Sequence, residues 1–290
     1  MGEYRIFTDG ACDLSEAYCR EHRIGVIPLY YSLASAVPVA YATGRRFASK
    51  AYYDLLRAGT PVRTSAPSIE DCKDAMRPVL EAGMDILYVG FSSQLSGAYN
   101  TARLAALELS EEFPSRTVTV IDSQCGSLGQ GLLVMELVKL REQGTGLVQA
   151  AAQAQVLRQH IRHYFTVSDL MYLKRGGRIS GSTAVVGTVL QIMPLMQLGE
   201  TGALELCGKI RGRKTALREI ADRAGRAAKP GTTVAVGHCD APEEAAFVKD
   251  ILRRKYGVRS VLVGDIDPIV GGHGGPGAVA AFCIDGGGSR

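Results

Sequence analysis

Hydroxyl side chains are the strongest chemical feature of the sequence. They occur in two separated segments, Thr64-Ser65 and Ser92-Ser93, and the second segment continues to Ser96. A hydroxyl group can donate a hydrogen bond to either oxygen of a carboxylate without bringing a full positive charge to the site. The two segments therefore predict a binding site for a small anionic group. The structural alternative is that each serine only caps a helix.

A histidine among glycines is the second chemical feature. His273 lies within residues 271–277, a segment predicted to be a loop whose glycines let the backbone approach a ligand closely. A histidine held there can donate to an anion or bridge to a serine. The alternative is a turn residue that bonds to its own backbone. His22, His160 and His163 are predicted to lie on helix surfaces, and no role is assigned to them.

The same residues also allow hypotheses of a different class. Asp9 and Asp122 end predicted strands, as in metal or phosphoryl sites, but no third acid or histidine stands at ligand spacing. Ser93 and His273, with either aspartate, could form the triad of a hydrolase, although the Gly-x-Ser-x-Gly motif is absent. Neither the phosphate-binding loop of kinases nor the Rossmann glycine spacing occurs, so no nucleotide cofactor is expected. A serine- or metal-dependent hydrolase remains the rival hypothesis.

Strands followed by helices must position these residues. Strands are predicted over residues 4–8, 85–89 and 117–122, and helices over 16–22, 101–109 and 132–142. Since the carboxyl ends of parallel strands meet at one edge of a sheet, the hydroxyl segments are expected to lie together there. The N-terminal half is thus predicted to be an α/β domain with a parallel sheet flanked by helices.

Local signals predict several further boundaries in this half. Asp13 or Ser15 is placed to cap the first helix. Ser68 is placed to cap the helix that begins directly after residue 68. Residues 24–31 are predicted to form one strand, whereas residues 32–50 show no clear periodicity.

The second half is predicted to be a mixed α/β domain. Its strands are expected at residues 204–210, 232–237, 258–265 and 278–284, and its helices at 215–227 and 242–256. We therefore divide the chain into residues 1–162, which carry the hydroxyl-rich site, and residues 163–290. The nearly apolar stretch 184–198 contains Met193 and Met196, which can line a cavity for a flexible chain or belong to a plain buried core.

Composition and charge exclude other classes of protein. The chain of 290 residues has a net charge of +4, which is too small for its length to indicate nucleic-acid binding. Its 7 cysteines are an odd number without a CxxC pair, as expected for reduced thiols and not for a disulfide framework or a zinc site. We expect a cytoplasmic protein without a signal peptide. We also expect no integral membrane segment, because Pro28 and Pro38 interrupt the most apolar run.

Collinear segments of the chain resemble the DegV family of fatty-acid-binding proteins, which includes the binding subunits of bacterial fatty acid kinase. The segments are residues 8–14, 64–68, 92–99, 121–123, 173–179, 209–212 and 273–277. The resemblance covers the chain from near residue 4 to residue 284. Their common order makes the resemblance far more specific than any single segment does.

The resemblance implies a two-domain DegV-like fold that encloses a long-chain fatty acid between its domains. It implies a lipid-binding protein without enzymatic activity or cofactor. In family members that serve a kinase, a separate ATP-dependent subunit phosphorylates the bound carboxylate to an acyl phosphate. Transferred position by position, the carboxylate site consists of Thr64, Ser65, Ser92, Ser93, Ser96, Gly97, His273 and Gly274.

The resemblance also suggests a surface for a partner. Lys174, Arg175 and Arg178 are expected to face the kinase or its phosphate, and an ordinary solvated turn is the alternative. The chain departs from the family pattern where side chains with hydroxyl or amide groups are usual. These positions are Gly10, Ala11, Ala66, Ala98 and Gly274, and they bear on the hydrogen bonds around the head group.

Overall fold

A parallel sheet of four strands forms the frame of the N-terminal half. The structure is a computed structural model that describes residues 3–42, 47–180 and 191–287. The strands lie in the order β2 (Gly25–Ile27), β1 (Tyr4–Asp9), β6 (Asp85–Gly90) and β7 (Val118–Asp122). Each adjacent pair is parallel. The predicted parallel sheet is confirmed, and its strands end at a common edge.

Helices connect and flank this sheet. They are α1 (Glu16–Glu21), α3 (Ile69–Glu81), α4 (Ala98–Glu112), α5 (Ser127–Glu142) and α6 (Leu147–Leu157). Ser15 caps α1 by accepting a hydrogen bond of 3.1 Å from the Tyr18 amide. Ser68 and Asp71 form a reciprocal capping box at the start of α3. The predicted caps Ser15 and Ser68 are therefore confirmed.

Helix α5 begins at Ser127 and not at residue 132, so the predicted start is wrong. The sequence around Gly129 resembles a loop because glycine lowers helix propensity. In the structure, Gly129 lies against the imidazole of His163, and a Cβ at this position would overlap the ring. Close packing between two elements, and not loop conformation, explains the glycine.

A small antiparallel sheet lies beside the parallel sheet. Its strands lie in the order β4 (Val39–Tyr41), β3 (Leu29–Leu33) and β5 (Val62–Ser65). The single strand predicted over residues 24–31 is divided at Pro28 into β2 and β3, which belong to different sheets. Helix α2 (Ser49–Arg57) precedes β5, and Gly59 follows its end with a φ of +87°, a conformation that favours glycine.

A mixed sheet of six strands dominates the second half, which confirms the predicted class. The strands, in spatial order, are β10 (Leu204–Arg211), β9 (Ile192–Leu198), β8 (Ile161–Thr166), β13 (Val279–Ile284), β11 (Val234–His238) and β12 (Val261–Asp265). Only β11 and β12 pair in parallel among these described strands. The short helix α7 (Met171–Arg175) follows β8.

The two faces of this sheet pack against different partners. Helices α8 (Arg213–Ala227) and α9 (Pro242–Tyr256) cover one face through an apolar cluster that includes Val279, Ala281 and Cys283. The alternate residues of the same strand, among them Ala280 and Phe282, belong to the largest apolar cluster, which extends from Tyr4 to Ile284. The N-terminal half and the second face of the sheet thus share one core.

The glycine-rich residues 271–277 are only partly a loop. Residues 271–274 belong to a helix, so the predicted loop is wrong there, whereas residues 275–277 form a turn. Helix α10 spans Pro268–Gly274, with Pro268 in its first turn. The Asp267 carboxylate caps it by accepting hydrogen bonds from the Ile269 and Val270 amides. A Cβ at Gly271 would overlap the Tyr53 hydroxyl. Tight packing on α2 therefore accounts for this glycine, which explains why the segment resembles a loop.

The division predicted between residues 162 and 163 falls inside β8, which belongs wholly to the six-stranded sheet. Part of the predicted apolar stretch, residues 184–190, lies outside the described residues, and the part from Ile192 onward forms β9. Among the described residues, no helix has both the length and the apolar character needed to span a membrane.

Candidate functional site

A cavity lies between the carboxyl edge of the parallel sheet and the second face of the six-stranded sheet. It encloses about 970 Å³ of space between atoms, its open mouth included. Most of its lining side chains are apolar, and Leu29, Phe91, Phe165 and Phe282 are examples. Such a cavity suits a ligand that is largely hydrocarbon.

Polar groups gather at one end of the cavity, which we call the polar end. Its members are Thr64, Ser65, Ser96, Gly97, Arg178, His273 and Gly274. Strand β5 supplies the first two, the start of α4 supplies Ser96 and Gly97, and α10 supplies His273 and Gly274. The amino end of α4 adds backbone amide groups and the positive end of a helix dipole, and its Ala98 amide donates a hydrogen bond of 3.2 Å to the Ser96 hydroxyl. This combination favours an anionic group.

A hydrogen bond of 2.8 Å joins the Thr64 hydroxyl to Nε2 of His273 at the centre of the polar end. Burial and the positive charge of Arg178 lower the pKa of His273 to about 4. The imidazole is therefore neutral near pH 7, with one donor and one acceptor nitrogen. Gly176 lies against Nδ1 of the ring, where a Cβ would overlap it. The conformation of the segment around Gly176 thus fixes the position of His273.

Arg178 lines the cavity, although we predicted that it faces a partner. Its Nε donates a hydrogen bond of 3.0 Å to the Leu95 carbonyl, and Nη1 donates to the Gly176 carbonyl. Burial lowers the pKa of this guanidinium from its ordinary value. By contrast, Lys174 and Arg175 are exposed, and the Arg175 guanidinium lies 4.9 Å from the centre of the Tyr172 ring. The basic segment therefore divides between the cavity and the surface.

Ser92 and Ser93 are close in sequence to the polar end, but their hydroxyls are directed elsewhere. The Ser92 hydroxyl donates a hydrogen bond of 2.8 Å to the carbonyl of Gly202, at the turn between β9 and β10. The Ser93 hydroxyl donates a bond of 2.6 Å to Asp122. Neither residue lines the cavity, so the structure does not bring them together with Thr64 and His273. Their role is to build the turn that presents Ser96.

The buried Asp9 holds the loops of β1 and β6 together. Its carboxylate accepts hydrogen bonds from the Phe91 amide (2.7 Å), the Tyr88 hydroxyl (2.9 Å) and the Gln130 amide group (3.1 Å). Burial nevertheless raises the pKa of Asp9 above its ordinary value. Because these donors occupy the carboxylate, Asp9 has a structural role at the edge of the sheet.

The geometry does not assemble the catalytic groups of the rival hydrolase hypothesis. Ser93 pairs with Asp122, whereas His273 pairs with Thr64, so serine and histidine do not form a nucleophile and base pair. Within the described ranges, no group of three histidine, cysteine, aspartate or glutamate side chains is arranged to hold a metal ion. The site favours binding over nucleophilic chemistry.

Comparison with known proteins agrees with this architecture. The sequence profile of the DegV family, a family of uncharacterised proteins, matches residues 3–285. The chain belongs to the DegV family. A DegV domain-containing protein of Clostridium perfringens is 32% identical over 286 residues, which cover 98% of each chain.

Solved structures share the whole fold. A DegV family protein from Thermus thermophilus, described for fatty acid binding, is 31% identical and has a TM-score of 0.85, over 98% of this chain and 100% of that one. A stearic-acid-binding protein from Eubacterium ventriosum is 26% identical with a TM-score of 0.85, over 97% of this chain and 98% of that one. The DegV fold expected from the sequence is therefore confirmed.

The opposite end of the cavity contains residues that we did not assign to the site. His163 was predicted on a helix surface, but it lies in β8 with 3% of its surface exposed and lines the cavity. Phe165 and Val167 follow at alternate positions, and Leu198 lines the cavity from the described part of the apolar stretch. Met196 is buried in the core beside it but does not line the cavity. The alternate spacing of His163, Phe165 and Val167 is the sequence signal that could have indicated a strand with one face toward the cavity.

Proposed function

We propose that this protein binds a long-chain fatty acid, with its carboxylate at the polar end and its hydrocarbon chain along the apolar wall. The single observation that carries the proposal is the distribution of polarity within one cavity. Polar side chains concentrate around the Thr64–His273 hydrogen bond, and aromatic and aliphatic side chains line most of the remaining wall. The descriptions of the Thermus thermophilus and Eubacterium ventriosum proteins as fatty-acid binders support it.

We propose that Thr64, Ser65, Ser96, Gly97, His273 and Gly274 hold the carboxylate. Hydroxyl and amide groups donate to its oxygens, and the neutral imidazole of His273 orients the Thr64 hydroxyl. Arg178 adds the positive charge that partly compensates the carboxylate charge in this half-buried site. Ser92 and Ser93 have no direct role in this proposal, because their hydroxyls are paired with Gly202 and Asp122.

The division into two domains is likewise a proposal. The first unit carries the parallel sheet, the second carries the six-stranded sheet, and the fatty acid lies between them. Because β8 begins at Ile161, we place the boundary just before that strand and not between residues 162 and 163. All 7 cysteines are free thiols, which fits the reducing cytoplasm that we propose as the location.

We propose further that the bound carboxylate can be presented to a separate ATP-dependent fatty acid kinase. Lys174 and Arg175 are exposed beside Gly176, which contacts His273 of the polar end. A positively charged surface close to the proposed carboxylate site supports this role. In this role the protein itself performs no chemistry, which agrees with the separation of Ser93 from His273.

Native mass spectrometry of the purified protein tests the binding proposal. We expect a mass excess that disappears on denaturation, and a fatty acid in the lipid extract at a molar ratio near unity. Delipidated protein should also take up palmitate, and should bind methyl palmitate more weakly because the ester lacks the anionic oxygens. An empty protein that takes up neither palmitate nor oleate would contradict the proposal, and ester hydrolysis assays with and without divalent metal would then test the rival.

A further inference from the structure

Strand register places a row of side chains across the end of the cavity that lies away from His273. Phe282 of β13 is directly opposite His163 of β8. One step beyond the Tyr164–Gln197 pair, the same register places Leu198 of β9 opposite His163, and Leu204 of β10 pairs with Leu198. All four side chains line the cavity. Because opposite residues of antiparallel strands project to the same face, they form a continuous row.

The cavity does not continue past this row. The next residues on the same face are Ile161 of β8 and Ile284 of β13, which are paired with each other and belong to the apolar core. Neither lines the cavity. In the other direction along the strands, Phe165 and Ala280 are paired, and Val167 and Ala278 follow toward the polar end. The row therefore marks the limit of the cavity along the sheet.

Side-chain size changes along β13 in a way that fits such a limit. Ala278 and Ala280 are small and leave space above the strand, whereas Phe282 fills the next position on the same face. The rings of Phe282 and His163 meet edge to face with their centres 5.3 Å apart. We call this pair of rings the end wall.

His163 is held in place from the side opposite the sheet. Its Nε2 accepts a hydrogen bond of 3.3 Å from the Gly126 amide, just before α5 begins. This amide is otherwise one of the unpaired groups of a helix amino end. Gly129 leaves the space that the ring occupies, so the ring is clamped between α5 and β8. A clamped ring cannot move aside for a longer ligand without breaking this hydrogen bond.

We propose that the end wall, formed by His163 and Phe282, sets the longest hydrocarbon chain that the protein accepts. The inference rests on the proposed function and deepens it, because it assigns the specificity for chain length to two residues. Each methylene that is buried should increase affinity about fourfold until the chain reaches the end wall. Beyond that length, affinity should fall because the chain must bend back or displace the rings.

Competition with a fluorescent fatty acid tests the proposal on delipidated full-length protein, with saturated acids from lauric to arachidic acid. The variant Phe282→Ala should move the best-bound acid to at least the next longer even-numbered homologue, and Phe282→Leu should produce a smaller shift in the same direction. Ala280→Val narrows the cavity before the end wall and should shift the preference to shorter acids. Cys283→Ala is the matched control, because Cys283 is buried on the other face of β13.

The outcomes separate this inference from the proposed function. Circular dichroism selects variants that remain folded, and Phe282→Leu and Ala280→Val provide the decisive pair if Phe282→Ala does not fold. Opposite shifts in these two variants, with the wild-type profile retained in Cys283→Ala, support the end wall. If the wild type binds fatty acids and both variants keep its profile, the end wall is wrong while the proposed function stands. If the wild type binds none of the acids, the proposed function itself fails.

Discussion

The cavity has a buried histidine at each end, and the two histidines resemble each other in several respects. Burial lowers the pKa of His273 and of His163 to about 4. Each ring also occupies space left by a glycine of a neighbouring element, Gly176 for His273 and Gly129 for His163. Both rings are therefore neutral near pH 7 and fixed by packing.

Their hydrogen-bond partners differ. The partner of His273 can take part in ligand binding, whereas the partner of His163 fixes the shape of the cavity. His273 pairs with the hydroxyl of Thr64, a side chain that can exchange this bond for one to a ligand. His163 pairs with the backbone amide of Gly126, which is part of the frame of α5. The polar end is thus built from exchangeable bonds, and the opposite end from bonds that define shape. We expect perturbation of the polar end to change affinity, and perturbation of the opposite end to change stability and the preferred chain length.

The largest effect is expected from Gly129→Ala at the apolar end. In an ordinary helix this change stabilises a protein by about 1 kcal/mol. Here the added methyl would overlap the His163 ring, so we expect destabilisation by about 3 kcal/mol. Urea unfolding measures the change. The double variant Gly129→Ala with His163→Ala removes the overlap, and a lack of coupling between the two substitutions would contradict the packing argument.

The second prediction concerns the loss of stability in acid. Because the pKa of each histidine is about 4 in the folded protein and about 6.5 otherwise, the unfolded chain takes up protons first as the pH falls. Stability should therefore decrease between about pH 6.5 and 4, and the loss per histidine should reach about 2 kcal/mol at pH 5. Asp267 opposes this trend, since burial raises its pKa to about 6 and favours the folded state as the pH falls.

Comparison of histidine variants with the wild type separates the effect of each histidine on the pH dependence of stability from that of opposing groups such as Asp267. Unfolding free energies at pH 7 and pH 5 should differ less in His273→Gln than in the wild type, by about 2 kcal/mol. His163→Gln should show a change of the same sign and similar size. An unchanged difference in both variants would show that the rings are not kept neutral in the folded protein.

The third prediction uses neighbouring glycines at the polar end. Gly176→Ala should displace the His273 ring and break its bond to Thr64, with a loss of fatty-acid affinity of about 1.5 kcal/mol, more than tenfold. Gly177→Ala is the matched control. Its added methyl meets open space, but its φ of +73° is strained for alanine and should cost about 1 kcal/mol of stability. Equal loss of affinity in both variants would contradict a specific role for His273.

Features that depend on neighbouring residues could be predicted from the sequence, whereas features that depend on contacts between distant residues could not. Local signals determine the parallel sheet and the caps, so the positions of Ser15 and Ser68 follow from neighbouring residues in the sequence. Thr64 was expected at the edge of the parallel sheet, but it lies on β5 of the antiparallel sheet, a strand that was not predicted. The glycines of α5 and α10 resemble loop residues, because their reason is contact with His163 and Tyr53, which are distant in sequence. The row from Leu204 to Phe282 depends on the register of four strands, and no local pattern encodes it.

The hydroxyl cluster shows a further limit of sequence reasoning. Ser92, Ser93 and Ser96 are equivalent by composition and proximity, yet the turn directs only Ser96 into the cavity wall. The Ser92 hydroxyl is satisfied by the carbonyl of Gly202, which the sequence alone does not bring near it. The Ser93 hydroxyl is satisfied by Asp122, whose strand was expected to end at the same edge of the sheet. The direction of a side chain within a turn decides between ligand binding and structure.

The smallest effect is expected from removal of one hydroxyl at the polar end. Thr64→Val preserves the shape of the side chain but removes its bond to His273, so we expect fatty-acid affinity to fall by about 1 kcal/mol, roughly fivefold. Thr64→Ser should restore most of it, because the hydroxyl returns. The hydrocarbon chain still supplies most of the binding energy, so the variant should keep the chain-length preference of the wild type. A shifted preference in Thr64→Val would show that the two ends of the cavity are not independent.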